Sequence, residues 1–256
     1  MTEPGAGGDD EAPDGQDARR AELVQALGRV RARVADACRA AGRPTAGVTL
    51  VVVTKTYPVS DLAVLASLGV RDVGEAREQE LRDKRARLDP VPAPGAGSGE
   101  PLLRWHVVGR LQRNKARSVG RLADVVHSVD DARLAEPLAR GAEDAGRTLG
   151  CFAQVSLDGD PDRGGVVEAD LPGLCEAVAG QEALRLLGVM AVAPLGADPA
   201  AAFARLAEVS ARLVVSHPAA TEVSAGMSGD LEQALAHGAT HLRVGAAVLG
   251  ARSTTG

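Results

Sequence analysis

Aromatic residues are nearly absent from this chain: 256 residues contain two Phe, one Trp and one Tyr. Few rings means few platforms for stacking nucleic-acid bases, and a core filled by Ala, Val and Leu. Cysteine is scarce too. Cys38, Cys151 and Cys175 lie far apart, form no CxxC pair and are odd in number, which suits reduced thiols better than a disulfide framework. No amino-terminal apolar run is present for secretion or membrane insertion, so a cytoplasmic protein with no membrane partner is expected. Nor does one sign of charge dominate. The formal charge of -5 comes from interleaved acids and bases, no basic face invites a phosphate backbone, and nucleic acid is not an expected partner. The last scarcity is lysine: of 29 basic residues only Lys55, Lys84 and Lys115 are not arginine.

What is present is a regular alternation. Residues 1–17, MTEPGAGGDDEAPDGQD, hold almost nothing to bury and are expected to form a disordered acidic, Gly/Pro-rich tail ahead of one domain over 18–256. From Ala18 to Ala41, Leu23, Leu27, Val30, Val34 and Ala37 recur at helical spacing, and Gly42 and Pro44 close an extra amino-terminal helix. Eight short β-rich runs then alternate with helical ones, from VTLVVVT at 48–54 to HLRVG at 241–245. Strands alternating with helices pair in parallel through right-handed crossovers, and eight such units in about 250 residues predict an α/β fold of the closed (β/α)8 TIM barrel type. A doubly wound open sheet would carry a glycine fingerprint after its first strand, where this chain reads TKTYPVS. The segment DPVPAPGAGSGEP, 89–101, reads as a flexible surface loop on the face away from the chemistry.

Active sites of such barrels gather at the carboxyl ends of the strands. Lys55 stands there, one residue beyond the apolar run LVVV. Unlike arginine, a lysine in apolar surroundings can lose its proton and act as a nucleophilic amine, so a Schiff base is one reading. A strand-end lysine snorkelling to solvent is the other, and the strand pattern alone leaves both open. The seventh and eighth strand ends, SAGMSGD at 224–230 and RVGAAVLG at 243–250, are where this fold habitually binds phosphate. A helix beginning near Ser228 would offer its hydroxyl and free N–H groups to an anion, with a second close backbone approach at Gly245 and Ala246. For one such motif alone, ordinary turn glycines with Ser228 or Ser224 as an N-cap are the preferred explanation.

Other signals weigh less. His237 and His241 have the spacing of a helical zinc pair, but Gly238 interrupts the helix, so they are assigned to a turn and a strand start. His106 and His127 fall within strands, either as barrel-interior residues that contact ligand or, the more frequent outcome, as satisfied core histidines. Arg110, Arg113, Lys115 and Arg117 read as a solvated helix face in preference to a second anion site, and Cys151 and Cys175 as buried hydrophobes.

A lysine and a two-part phosphate cradle in one barrel mouth suggest pyridoxal 5′-phosphate (PLP). In order and spacing, VVVTKTYP, WHVVGRLQRNK, VHSVD, GVMAVAP, VSAGMSGD and HLRVGAAVLGAR resemble the pyridoxal phosphate homeostasis protein (YggS/PROSC) family. The likeness runs from Ala18 to Arg252. It implies a barrel like the alanine racemase N-terminal domain that binds PLP as an aldimine on Lys55, with no established turnover. It further implies that Ser224, Ser228, Gly245 and Ala246 hold the phosphate, with Met227 beside it, and that Arg243 faces the pyridine nitrogen. An arginine there, unlike a carboxylate, cannot leave that nitrogen protonated and so discourages carbanion chemistry.

The chain departs from the family pattern at Ala76 and Arg77 (usually Asn-Tyr), Arg110 (usually His), Ala225 (usually Met) and Ala246 (usually Thr). The Ala246 N–H survives its change, whereas a hydroxyl contact to phosphate does not. The resemblance implies a monomeric carrier that buffers PLP or delivers it to PLP-dependent apoenzymes. Two alternatives stand beside it: a PLP-dependent racemase, which needs a second acid or base on the opposite cofactor face, and a cofactor-free Schiff-base aldolase acting on a phosphosugar. Tyr57, two residues after Lys55, is poorly placed for the opposite face.

Overall fold

The computed structural model describes residues 13–88, 102–160 and 163–250. Eight parallel strands close into a barrel in chain order: β1 (Thr49–Val53), β2 (Asp72–Glu75), β3 (Arg104–Val107), β4 (Val125–Val129), β5 (Leu149–Gln154), β6 (Leu184–Met190), β7 (Glu222–Ser224) and β8 (His241–Val244). The ring shuts where β1 pairs with β8, setting Val51 against Arg243 and Val52 against Val244. The expected (β/α)8 architecture is therefore present; β1, TLVVV, and β4, VVHSV, show the β-branched runs of parallel strands covered on both faces, whereas β5, LGCFAQ, has none.

The first helix, α1 (Pro13–Ala40), starts upstream of Ala18 and takes in the end of the segment read as a tail; residues 1–12 lie outside the described residues. So does the 89–101 loop. The barrel helices are α2 (Val59–Ser67), α3 (Glu78–Leu88), α4 (Arg113–Leu122), α5 (Ala135–Asp144), α6 (Leu171–Ala179), α7 (Pro199–Ser216) and α8 (Leu231–Ala236). A short α9 (Ala246–Leu249), not expected from the sequence, follows β8. Ahead of α5 the Asp131 carboxylate accepts the Arg133 N–H and starts a separate 3-10 turn, Ala132–Leu134. No described helix is long and apolar enough to cross a membrane.

Two apolar clusters form. The larger lies between strands and helices and includes Leu23, Leu27, Val30, Val34 and Cys38 of α1. Each fully buried Leu or Val in it contributes about 1.5–3 kcal/mol. The α1 face so buried lays the helix across α8 and α9, where Arg33 bonds Glu232 and the Ser228 carbonyl, and Arg19 bonds Asp61 and the Leu249 carbonyl. The smaller cluster, Val125, Phe152, Leu187 and Met190, packs inside the barrel. Val51 and Val53 also face Gly74 across the interior, and buried polar side chains, among them Asp72, His106, His127, Ser224 and Arg243, make up much of the rest.

Candidate functional site

Lys55 sits in a turn pinned from two sides. As the chain leaves β1, the Thr54 N–H donates to Gly74 O (2.9 Å), the Tyr57 N–H returns to Thr54 O (3.1 Å), and Thr56 adopts φ +71°. A non-glycine residue in that region costs on the order of 1–3 kcal/mol and persists only where its surroundings hold it. Glu80 Oε2 does so by accepting the Thr56 N–H at 2.7 Å. On the other side Lys84, buried beneath the turn, donates to Thr54 O and to Glu75 Oε1, both at 2.8 Å, and the Thr54 hydroxyl donates to the same Glu75 oxygen at 2.6 Å. Burial holds the Glu75 carboxyl above its ordinary pKa against the opposing bonds from Lys84 and Thr54. For Glu80 burial also pushes upward, but the Thr56 N–H and Lys84 outweigh it and the net shift is downward.

This separates the three lysines. Lys84 is spent on structure, and Lys115 lies 3.8 Å from Glu78 at the surface. The half-buried Lys55 ammonium makes no hydrogen bond or ion pair among the described residues.

The loops after β7 and β8 stand beside this turn. A Cβ on Gly245 would lie 3.2 Å from the Val53 carbonyl, so the β8 loop runs directly against the end of β1. The Ala247 N–H donates to Ser228 Oγ at 3.4 Å, joining the two loops, and the Tyr57 hydroxyl donates to Gly250 O at 2.7 Å. Gly226 has φ +89°, and a Cβ there would come within 2.6 Å of the Ala234 Cβ, so only glycine permits this bend. The helix expected near Ser228 begins later, at Leu231, because the Asp230 carboxylate captures the Met227 N–H at 2.6 Å and holds 228–230 as a turn. The N–H groups of Ser228 and Gly229 are left without an acceptor among the described residues, and so, in the β8 loop, is that of Ala246. Met227 lies on the rim with its side chain 38% exposed.

Below this cradle lies Arg243, buried at 5% exposure. It donates from one terminal nitrogen to Ser224 Oγ (2.5 Å) and from the other to the Ala191 carbonyl (3.0 Å). No carboxylate pairs with it among the described residues. Burial lowers its pKa to about 10, with only the opposing charge of Asp230 acting against that. A buried cation facing neutral acceptors is costly, and an electron-rich ligand group would relieve the cost. Ser224 is itself fully buried, and its Oγ also meets His127 Nδ1 at 2.7 Å.

Lys55, Ser228, Gly245 and Ala246 thus come together at the mouth, with Arg243 and Ser224 beneath and Met227 at the edge. Sequence reasoning missed Lys84 and Glu80, which shape the lysine turn, and Arg33, which reaches the cradle from α1. Lys84 carried a readable signal, being one of three lysines in an arginine-rich chain; Arg33 carried none. The basic cluster after β3 does not act as one face. Arg117 bonds Asp144, while Arg110 and Arg113 line a cleft of about 1140 Å³ over the ends of β3 to β5, across the mouth from β8.

The residues fit PLP: an uncommitted amine, unused amides in a glycine-shaped cradle and an unpaired buried cation answer to its aldehyde, phosphate and ring nitrogen. Comparison with known proteins agrees. The sequence matches the family described as alanine racemase, N-terminal domain, over residues 26–253. The pyridoxal phosphate homeostasis protein of Mycobacterium tuberculosis (strain ATCC 25618 / H37Rv) is 44% identical over 244 residues, 91% of this chain and 94% of the relative. The protein of that name from Escherichia coli (strain K12) is 32% identical over 238 residues, 90% and 97% of the two chains. The solved structure of PipY from Synechococcus elongatus PCC7942, with PLP bound, is 33% identical at a TM-score of 0.75, covering 89% of this chain and all of PipY.

Proposed function

The chain belongs to the alanine racemase N-terminal domain family and, within it, to the pyridoxal phosphate homeostasis proteins, and from that premise we propose that it binds PLP through Lys55 and serves PLP homeostasis without catalytic turnover. The observation that carries the reading is that the same barrel mouth holds Lys55, without a hydrogen bond or ion pair among the described residues, and the buried Arg243, without a carboxylate partner among them. Bound PLP supplies an aldehyde that condenses reversibly with amines, and a conjugated ring that absorbs visible light.

The turn held by Glu80 and Lys84 presents the Lys55 amine to that aldehyde. Ser228, Gly245 and Ala246 form the phosphate cradle, to which Ser228 and Ala246 bring unused N–H groups. Arg243 offers the ring nitrogen a permanent donor rather than a proton, so the strongest electron sink available to the cofactor is withheld. Tyr57 does not supply an opposing acid or base, because its hydroxyl is bonded to Gly250 O. Storage or delivery therefore fits the site better than racemisation. We extend the proposal to a cytoplasmic monomer whose partners, beyond PLP itself, are PLP-dependent apoenzymes that take up the cofactor.

The test is titration with PLP followed by borohydride reduction and peptide mapping. A visible band and a label on the peptide bearing Lys55, both lost in Lys55→Ala, are expected. No label on the wild-type protein refutes PLP binding through this lysine, and turnover of any free amino acid in a racemisation assay refutes the non-catalytic role.

A further inference from the structure

A single file of buried polar side chains crosses the inside of the barrel. It begins at Asp72 in β2, where the carboxylate also receives the Arg104 guanidinium. His106 Nε2 lies 2.9 Å from Asp72 Oδ1, His106 Nδ1 lies 2.8 Å from His127 Nε2, and His127 Nδ1 lies 2.7 Å from Ser224 Oγ. Ser224 Oγ accepts from Arg243. Both histidines are fully buried.

The two ends dictate the direction of every bond between them. Arginine has only donors and an ionised carboxylate only acceptors. Burial alone would raise the Asp72 pKa, but the bonds from His106 and Arg104 outweigh it and keep the group ionised. Burial lowers the pKa of His106, and burial together with the charge of Arg243 holds that of His127 well below its ordinary value. His241, whose ring centre is 6.3 Å from that of His106 and 6.0 Å from that of His127, is held down to about 3, chiefly by burial. No imidazolium therefore competes with Arg243 at neutral pH. Each neutral ring has one N–H, so one arrangement satisfies all the groups. Arg243 donates to Ser224, Ser224 to His127 Nδ1, His127 Nε2–H to His106 Nδ1, and His106 Nε2–H to Asp72.

We propose that Asp72, His106, His127 and Ser224 are positioning residues that lock the Arg243 guanidinium in place and so set its hydrogen bond to the ring nitrogen of the cofactor. The cofactor half of this statement rests on the reading of PLP binding above. Ser224 takes on a different role from the phosphate contact implied by family resemblance, because its only hydroxyl hydrogen is spent on His127. An apolar interior would be less costly than this file if filling space were its sole purpose. The file instead gives a buried guanidinium an acceptor whose own orientation is fixed through to the floor of the barrel.

Two measurements test it. In the cofactor-free wild-type protein with ¹⁵N-labelled histidine, NMR should show His106 and His127 neutral and protonated on Nε2 from about pH 5.5 to 8, where an ordinary histidine titrates. An Nδ1–H tautomer or an imidazolium at either residue overturns the file. The second is His127→Phe, which preserves the ring stacked on Phe152 at 4.7 Å but removes both nitrogens, beside Ser224→Ala as an independent break in the same file. Losing one bond to a charged group should weaken PLP binding roughly ten- to a hundredfold. The ¹⁵N shift of ring-labelled PLP should also move, while borohydride still fixes the label on Lys55. A variant that binds PLP with unchanged affinity and an unchanged ring-nitrogen shift refutes the positioning role. If the wild-type protein takes up no PLP, the proposed function fails, and the histidine spectra still decide the file.

Discussion

Replacing Lys84 by Met tests how the lysine turn is built. The Lys84 ammonium is 2.8 Å from Glu75 Oε1, with side-chain exposures of 8% and 0%. Removing one partner of a buried pair strands the other and costs about 3–5 kcal/mol. Because Glu75 can take up a proton, the lower end applies. A loss of about 3 kcal/mol at neutral pH corresponds to a fall in Tm of roughly 6–12 °C for a chain of this size. The pH dependence follows from the direction of the Glu75 shift. Its carboxyl already has a raised pKa in the folded state, so the folded protein binds that proton more tightly than the unfolded chain. The corresponding stability is complete below the unfolded pKa and is lost as pH rises through the folded one. Without Lys84 the folded pKa rises further, so the deficit of the variant should be larger at pH 7 than at about pH 5. Urea denaturation at both values measures this directly. Adding Glu75→Gln to the variant should recover most of the loss, since no charge is then left buried. A deficit below about 1 kcal/mol, the range of an exposed pair, or one equal at both pH values, would refute the account.

The cradle makes two further predictions. Gly226→Ala places a methyl group 2.6 Å from the Ala234 Cβ at φ +89°; it should destabilise the fold by about 1–3 kcal/mol and lower affinity for PLP more than for pyridoxal, as parallel titrations of the two ligands would reveal. Arg33→Ala removes two bonds to the Ser228 carbonyl from a side chain that is 38% exposed. Its cost in stability should be about 1 kcal/mol or less, yet the preference for PLP over pyridoxal should fall, and equal losses for both ligands would sink the idea that α1 braces the cradle.

What could be read from the sequence was set by the range of the interactions involved. The eightfold alternation of short strand-like runs with helical ones made the barrel legible, and the β-branched run TLVVV placed Lys55 at the end of β1. Four residues, AAVL, are too few to declare a helical period, and α9 passed for the continuation of a phosphate loop. The late start of α8 depends on Asp230 reaching back to the Met227 amide, a local choice that the motif SAGMSGD does not reveal. His106 and His127 were read as satisfied core residues, and satisfied they are. What decides their role is a bond from His127 to Ser224 across 97 residues of chain, and no spacing rule reaches that far. Arg243 follows the same logic. A sequence displays an arginine at a strand end, where ion pairing is the ordinary fate, and only the fold reveals that its neighbours are a hydroxyl and a carbonyl. With no carboxylate against it among the described residues, Arg243 turns from a structural residue into a candidate ligand contact, because a buried positive charge facing only neutral groups is stabilised by what binds there.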